Sequence, residues 1–139
     1  VLVCGSADRG DDGAALSAIA HVLPQLDHAI CQRLEVRRCT QLDATDLIDV
    51  RPGESCLVLD TVVGVEAGSI VEMPLGDLVY DSAVSPRSSH ALPIQQVAGI
   101  AEAVRGSLPS GLFVGIGGKW FGFGTTRSRA LRAGMPAFE

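Results

Sequence analysis

The sequence predicts an α/β protein built on a mixed, mostly parallel sheet, and three observations lead there. Short apolar runs alternate along the chain with segments of helical periodicity, the pattern of strands joined by helical crossovers. The first apolar run, "VLVCG", passes through a glycine-rich turn directly into a helical segment. Between "SCLVLDTVV" and "SIVEMP" there are too few residues for a helical crossover, so the second of these strands runs antiparallel to its predecessor.

The elements follow in order. "VLVCG" is a strand that ends at Gly5. From Asp11 to Leu23 the residues Ala14, Leu16, Ile19, Ala20 and Leu23 recur at helical spacing, and Pro24 stops the segment. "RLEVRRC" alternates as a strand with one exposed face. "DATDLIDV" is a short helix with Asp43 as its N-cap, and Gly53 marks the turn after it. "SCLVLDTVV" is the most hydrophobic strand and carries one charge, Asp60. "DSAVSPRSSHALP", rich in serine and proline and without periodicity, is a loop. Pro93 suits the first turn of a helix running to Leu108. "GLFVGIGG" is the last strand, "KWFGFGTT" a loop of glycines and aromatics, and a short helix from Arg127 to Ala133 closes the chain. No repeat, low-complexity tract or internal boundary interrupts it, so residues 1–139 read as one domain, long enough for a substantial core.

Composition narrows the function. Hydrophobic residues make up 47% of the chain and mean hydropathy is +0.30, but every apolar run is broken well before the roughly 18 residues of a membrane span. A soluble protein is expected. The net charge is −5 with scattered arginines, which excludes a basic face for nucleic acid. The chain begins in a strand with no basic segment or cleavage-site pattern, so no secretory signal is read, and the missing initiator Met implies trimming. Cys4, Cys31, Cys39 and Cys56 form no C-x-x-C pair and read as small buried hydrophobes of a reducing compartment, the cytoplasm, rather than a zinc or redox cluster.

Gly5 and Gly10 have the spacing of a phosphate-binding loop, but Asp11 and Asp12 replace its lysine and hydroxyl and would repel an anion. In an open α/β sheet ligands sit outside the carboxyl ends of the parallel strands. That rule brings Asp11–Asp12 after the first strand and Asp60 at the end of the third to one edge, with His90 in a loop able to fold over it. Two carboxylates and an imidazole are a ligand set for a divalent metal. Each also has a plainer reading. Asp11 and Asp12 fit the first turn of a helix, worth about 0.3–1 kcal/mol each through the macrodipole. Asp60 has to find a hydrogen-bond or charged partner near a buried strand end, and His90 fits a loop approaching a helix. A Ser88 or Ser89, His90, Asp60 triad lacks the G-x-S-x-G elbow. "GIGGKWFGFG" fails as a dinucleotide fingerprint because Trp120 stands at its third glycine.

Taken together, "GSADRGDDGAA", "LVLDTVVGVEAGSI", "SSHALPI" and "GLFVGIGGKWFGFG" resemble the hydrogenase maturation endopeptidases, in the same order over nearly the whole chain. The resemblance implies a three-layer α/β/α fold with a five-stranded mixed sheet, of the phosphorylase/hydrolase-like kind. It implies a protease that removes a C-terminal extension from the precursor of the large subunit of a nickel-iron hydrogenase after nickel insertion. Its nickel contacts, and with them its catalytic residues, correspond to Asp12, Asp60 and His90. The nickel is carried by the substrate, and no organic cofactor is implied. Asp11 either supports Asp12 or replaces it, and Ser6 stands where the family has Asn. The partner is the precursor, and a monomer is expected so that so large a partner can reach the site. A non-catalytic metal-sensing or chaperone module that binds the precursor and cuts nothing is the alternative.

Overall fold

Leu2, Val3 and Cys4 form the first strand (β1, Leu2–Cys4), and all three are buried, as a central strand covered on both faces requires. The computed structural model describes residues 1–80 and 92–139. After β1 come a 3-10 turn, Gly10–Gly13, and α1, Ala14–Val22. A short α2 (His28–Cys31) leads to β2 (Arg37–Cys39), then α3 (Ala44–Ile48) to β3 (Cys56–Val62). Next are β4 (Ile70–Pro74), a 3-10 turn over Leu75–Val79, α4 (Ile94–Arg105), β5 (Gly111–Gly117) and α5 (Arg129–Phe138).

The sheet is five-stranded, with order β2-β1-β3-β5-β4. β1 pairs in parallel with β2 and β3, β3 in parallel with β5, and β4 antiparallel with β5. The expected mixed, mostly parallel sheet is therefore present. β4 does run against β3, yet it does not pair with it, because β5 is inserted between them.

Side-chain alternation sorts the core into two layers. Leu2, Cys4, Val58 and Phe113 face α3, α4 and the Leu75–Val79 turn, where Leu47, Leu75, Leu78, Val97, Ala98 and Ala101 are buried. On the other face Val3 and Leu59 pack against Ala15 and Ile19 of α1, and Ile116 against Ala14, Ala18, Leu131 and Met135 of α1 and α5. The result is a three-layer α/β/α sandwich. Arg105 joins two helices of one layer, its Nη1 donating to the carbonyls of Leu47, Ile48 and Val50, the orphan acceptors at the end of α3.

Local signals succeed where side chains determine the backbone. Asp43 caps α3 in a capping box with Asp46, and Gly106 ends α4 at φ 86°. Three expectations need correction. The first helix starts at Ala14, because Asp11 and Asp12 belong to the 3-10 turn and turn their carboxylates to other segments. The last helix is Arg129–Phe138, capped by Ser128, whose hydroxyl accepts the Leu131 N–H; Gly134 and Pro136 hide its length in the sequence. α2, capped by Asp27, was not expected. Cys4 and Cys56 are buried as expected, and Cys31 and Cys39 are half-buried. The Cys4 and Cys39 thiols face each other across β1 and β2 at 2.8 Å. Among the described residues no helix is long and apolar enough to cross a membrane.

Candidate functional site

The crossover through α1 leaves β1 on one face of the sheet, and the crossover through α3 returns to β3 on the opposite face. β2 and β3 thus lie on either side of β1, and at the carboxyl ends of β1 and β3 the chain departs in different directions, from β1 into α1 on one face and from β3 on to β4 and then α4, which packs on the opposite face. Such a divergence opens the crevice in which doubly wound sheets bind ligands. Asp12 lies in the loop that leaves β1, and Asp60 lies on β3.

The loop after β1 is folded around Asp12. Gly5 has φ 128°, and a Cβ there would run into the Asp12 carbonyl, so only glycine lets the chain turn back this closely. The Ser6 N–H then donates to Asp12 Oδ2 at 3.0 Å, while the Ser6 hydroxyl donates to Asp8 Oδ1 at 2.5 Å. Serine in place of the expected Asn therefore still ties the loop to itself. Asp12 is wholly buried.

Asp11 is wholly buried too, but its role differs. Its Oδ2 accepts the N–H groups of Lys119 at 2.8 Å and Trp120 at 3.0 Å, and its Oδ1 accepts that of Ser128 at 2.6 Å. Burial alone would raise its pKa; these three N–H donors, with the Ser128 hydroxyl, outweigh burial and lower it. Both oxygens are thus engaged by the segment after β5, and of the two roles left open for Asp11 the supporting one fits this geometry. Both acidic residues also lie in the first turn of the 3-10 segment that runs directly into α1, as the first-turn reading expects.

Asp60 is half-buried, opposite Gly115 in the β3–β5 register. Burial pushes its carboxyl up to about 7, with partial relief from the Thr61 N–H, which donates to Asp60 Oδ1 at 2.7 Å. A carboxyl so poised exchanges a proton near neutral pH, whereas that of Asp11 is held below the usual carboxylate range. The next residue, Thr61, is buried, and its hydroxyl donates to the Asp11 carbonyl at 3.1 Å. Asp12 and Asp60 are each chain neighbours of one member of that bonded pair, which sets both segments at the carboxyl ends of β1 and β3, with the Asp60 side chain on the sheet face opposite the Thr61 hydroxyl, since successive strand residues alternate.

His90, with Ser88 and Ser89, lies outside the described residues. Among the described residues no three His, Cys, Asp or Glu side chains are gathered closely enough to hold a metal. Sequence reasoning missed Thr61, Ser128 and the backbone of Lys119 and Trp120 as the parts that position the acidic turn. Only the dense glycines of "GGKWFGFG" signalled that this loop runs close to another backbone.

No known family profile matches the chain, and no curated protein matches it in sequence. Solved structures do match in fold. The NiFe hydrogenase maturation protease HybD from Thermococcus kodakarensis is 21% identical, with a TM-score of 0.63 over 99% of this chain and 90% of that one. The hydrogenase maturating endopeptidase HybD from E. coli is 16% identical, with a TM-score of 0.68 over 99% of this chain and 84% of that one. The endopeptidase HycI from Escherichia coli is 16% identical, with a TM-score of 0.66 and the same coverage, 99% and 84%. Over nearly its whole length, the chain has the fold of the hydrogenase maturation endopeptidases.

Proposed function

We propose that this protein is a hydrogenase maturation endopeptidase that removes a C-terminal extension from the precursor of a nickel-iron hydrogenase large subunit once nickel has been inserted. The observation that carries the reading is the pair of carboxylates, Asp12 and Asp60, at the carboxyl ends of β1 and β3 in a chain with this fold. The nickel belongs to the substrate, and Asp12, Asp60 and His90 are its proposed contacts. Two carboxylates and an imidazole suit nickel better than magnesium or calcium, which prefer all-oxygen surroundings. Asp60, whose carboxyl is raised by burial, has to lose its proton to contact the metal, so its engagement with nickel is favoured as pH rises. The protein is proposed to act in the cytoplasm, as a monomer and without an organic cofactor.

The test is to incubate the protein with nickel-loaded and nickel-free precursor and to follow the precursor's mass. Loss of a C-terminal fragment from the loaded form alone is the expected result. Tight binding with no loss of mass would replace the peptidase by the metal-sensing or chaperone reading.

A further inference from the structure

We propose that Trp120 and Phe123, flanked by Arg9 and Lys119, form a docking platform beside the crevice for an extended acidic segment of the precursor polypeptide. The proposal rests on the peptidase reading above and adds to it where the substrate chain lies and what chemistry it presents there.

Trp120 is 54% exposed and Phe123 80% exposed. Both belong to the loop after β5, and neither is loosely held. A Cβ on Gly10 would come within 2.6 Å of the Trp120 ring, and one on Gly122 closer still. The indole is therefore wedged between two glycine backbones while more than half of its surface meets solvent. The Arg9 guanidinium lies 4.6 Å from the centroid of the Phe123 ring, a cation–π distance. Backbone bonds from Gly10 to Gly124 at 2.6 Å, Gly124 to Asp8 at 2.7 Å and Asp11 to Trp120 at 2.8 Å fasten this loop to the one after β1. Aromatic anchors fixed before binding lose little conformational freedom on contact, which is why tryptophan dominates binding hot spots.

The platform adjoins the proposed chemistry, since the Trp120 N–H is bonded to Asp11, next in the chain to Asp12. Charge identifies the occupant. The chain carries −5 overall, yet residues 119–138 contain Lys119, Arg127, Arg129 and Arg132 and no Asp or Glu. Arg127 turns inward to the Gly13 carbonyl and Ser17, whereas Lys119 and Arg9 are exposed on the rim. Asp8, also on the rim, accepts the Ser6 hydroxyl. A peptide segment bearing carboxylates gains at this rim what a basic one loses.

Trp120 is the one tryptophan in the chain, so its emission reports directly on the platform. Nickel-free precursor, which offers the platform its polypeptide without the metal, is titrated into wild type, Arg9→Glu/Lys119→Glu and Phe123→Ser, each first checked for an unchanged melting temperature. The expected result is a blue shift of Trp120 on saturation, with binding weakened about tenfold or more by charge reversal and by raising salt from low to about 0.5 M. Phe123→Ser is expected to weaken binding severalfold. An unmoved emission at saturation, no binding by wild type, or undiminished affinity in the charge-reversed variant overturns the proposal. Cleavage of nickel-loaded precursor, followed in parallel by mass, separates the two readings. Cutting without a platform signal removes the platform alone; a platform signal without cutting supports the platform and removes the peptidase; neither removes both.

Discussion

The carboxylate of Asp11 accepts the backbone N–H of Ser128 at 2.6 Å, across 117 positions of the chain. The same side chain holds the N–H groups of Lys119 and Trp120, so one residue joins the turn after β1 to the loop after β5 and to the start of α5. Asp11→Ala leaves three N–H donors without their acceptor, each worth about 1–3 kcal/mol when left unpaired. Part of that is recovered by water, and a loss of about 3 kcal/mol in unfolding free energy is expected from denaturant titration. A loss within 0.5 kcal/mol would show that the tie is dispensable.

The sign of the pH effect follows from the lowered pKa of Asp11. The folded state holds this proton less tightly than the unfolded chain does. Its stabilisation is therefore fully present above about pH 4 and is lost as pH falls through the folded value. Wild type is expected to lose stability more steeply than Asp11→Asn below pH 4, and parallel pH–stability curves would contradict the assignment.

Asp60 behaves in the opposite sense. Burial raises its pKa from the ordinary carboxylate value to about 7, so the folded state binds the proton more tightly. Its contribution is present below about pH 4 and is lost as pH rises toward 7. Asp60→Asn is expected to be about 2 kcal/mol more stable than wild type at pH 8, after allowance for its partial exposure, and about equal at pH 4. Processing of the precursor should stop in the same variant. In wild type, processing should rise between pH 6 and pH 8 as the carboxyl ionises. A variant that is destabilised, or that still cuts, would make Asp60 a structural residue.

The strands and their directions were legible because period and apolarity are local properties. β3 shows itself in "SCLVLDTVV", and α3 in the reach of Asp43 and Asp46 over three residues. The partner of β4 was not legible, since the insertion of β5 is settled by contacts made some forty residues later. The acidic turn was half legible. Two adjacent aspartates marked it as no phosphate loop, but nothing near Asp11 in sequence shows that its oxygens face residues 119, 120 and 128. Pro136 misled at the last helix because a proline in the final turn forfeits one hydrogen bond, which the burial of Leu131 and Met135 offsets.

Thr61 links the two halves of the site, and its hydroxyl is the part that matters. Thr61→Val keeps the volume of a fully packed position while deleting the donor to the Asp11 carbonyl. That carbonyl still accepts the Ala14 N–H, so the cost should be modest, about 1 kcal/mol. Processing should fall more than stability does, because the spacing of the acidic turn and β3 then depends on fewer bonds. Equal activity at the wild-type melting temperature would rule out a positioning role for Thr61.

Nickel discrimination should depend on His90, the nitrogen donor in the proposed set, and the chain supplies its own controls. It contains three histidines. His21 is exposed at the end of α1, 3.6 Å from Glu139, and His28 is exposed on α2 against Gln32. Neither belongs to the crevice between β1 and β3. Replacing a neutral imidazole ligand of a metal costs roughly 10–100-fold or more in affinity or activity, on the scale that holds even for outer-shell partners. His90→Ala is therefore expected to cut nickel-loaded precursor at least 100-fold more slowly than wild type, while His21→Ala and His28→Ala cut it at the wild-type rate. Removing nickel from the precursor should stop cutting by wild type, with nickel restoring it and magnesium failing to do so, since a hard cation gains little from imidazole. If His90→Ala cuts at the rate of the two control variants, the imidazole is no ligand, and the metal would have to be recognised through Asp12 and Asp60 alone.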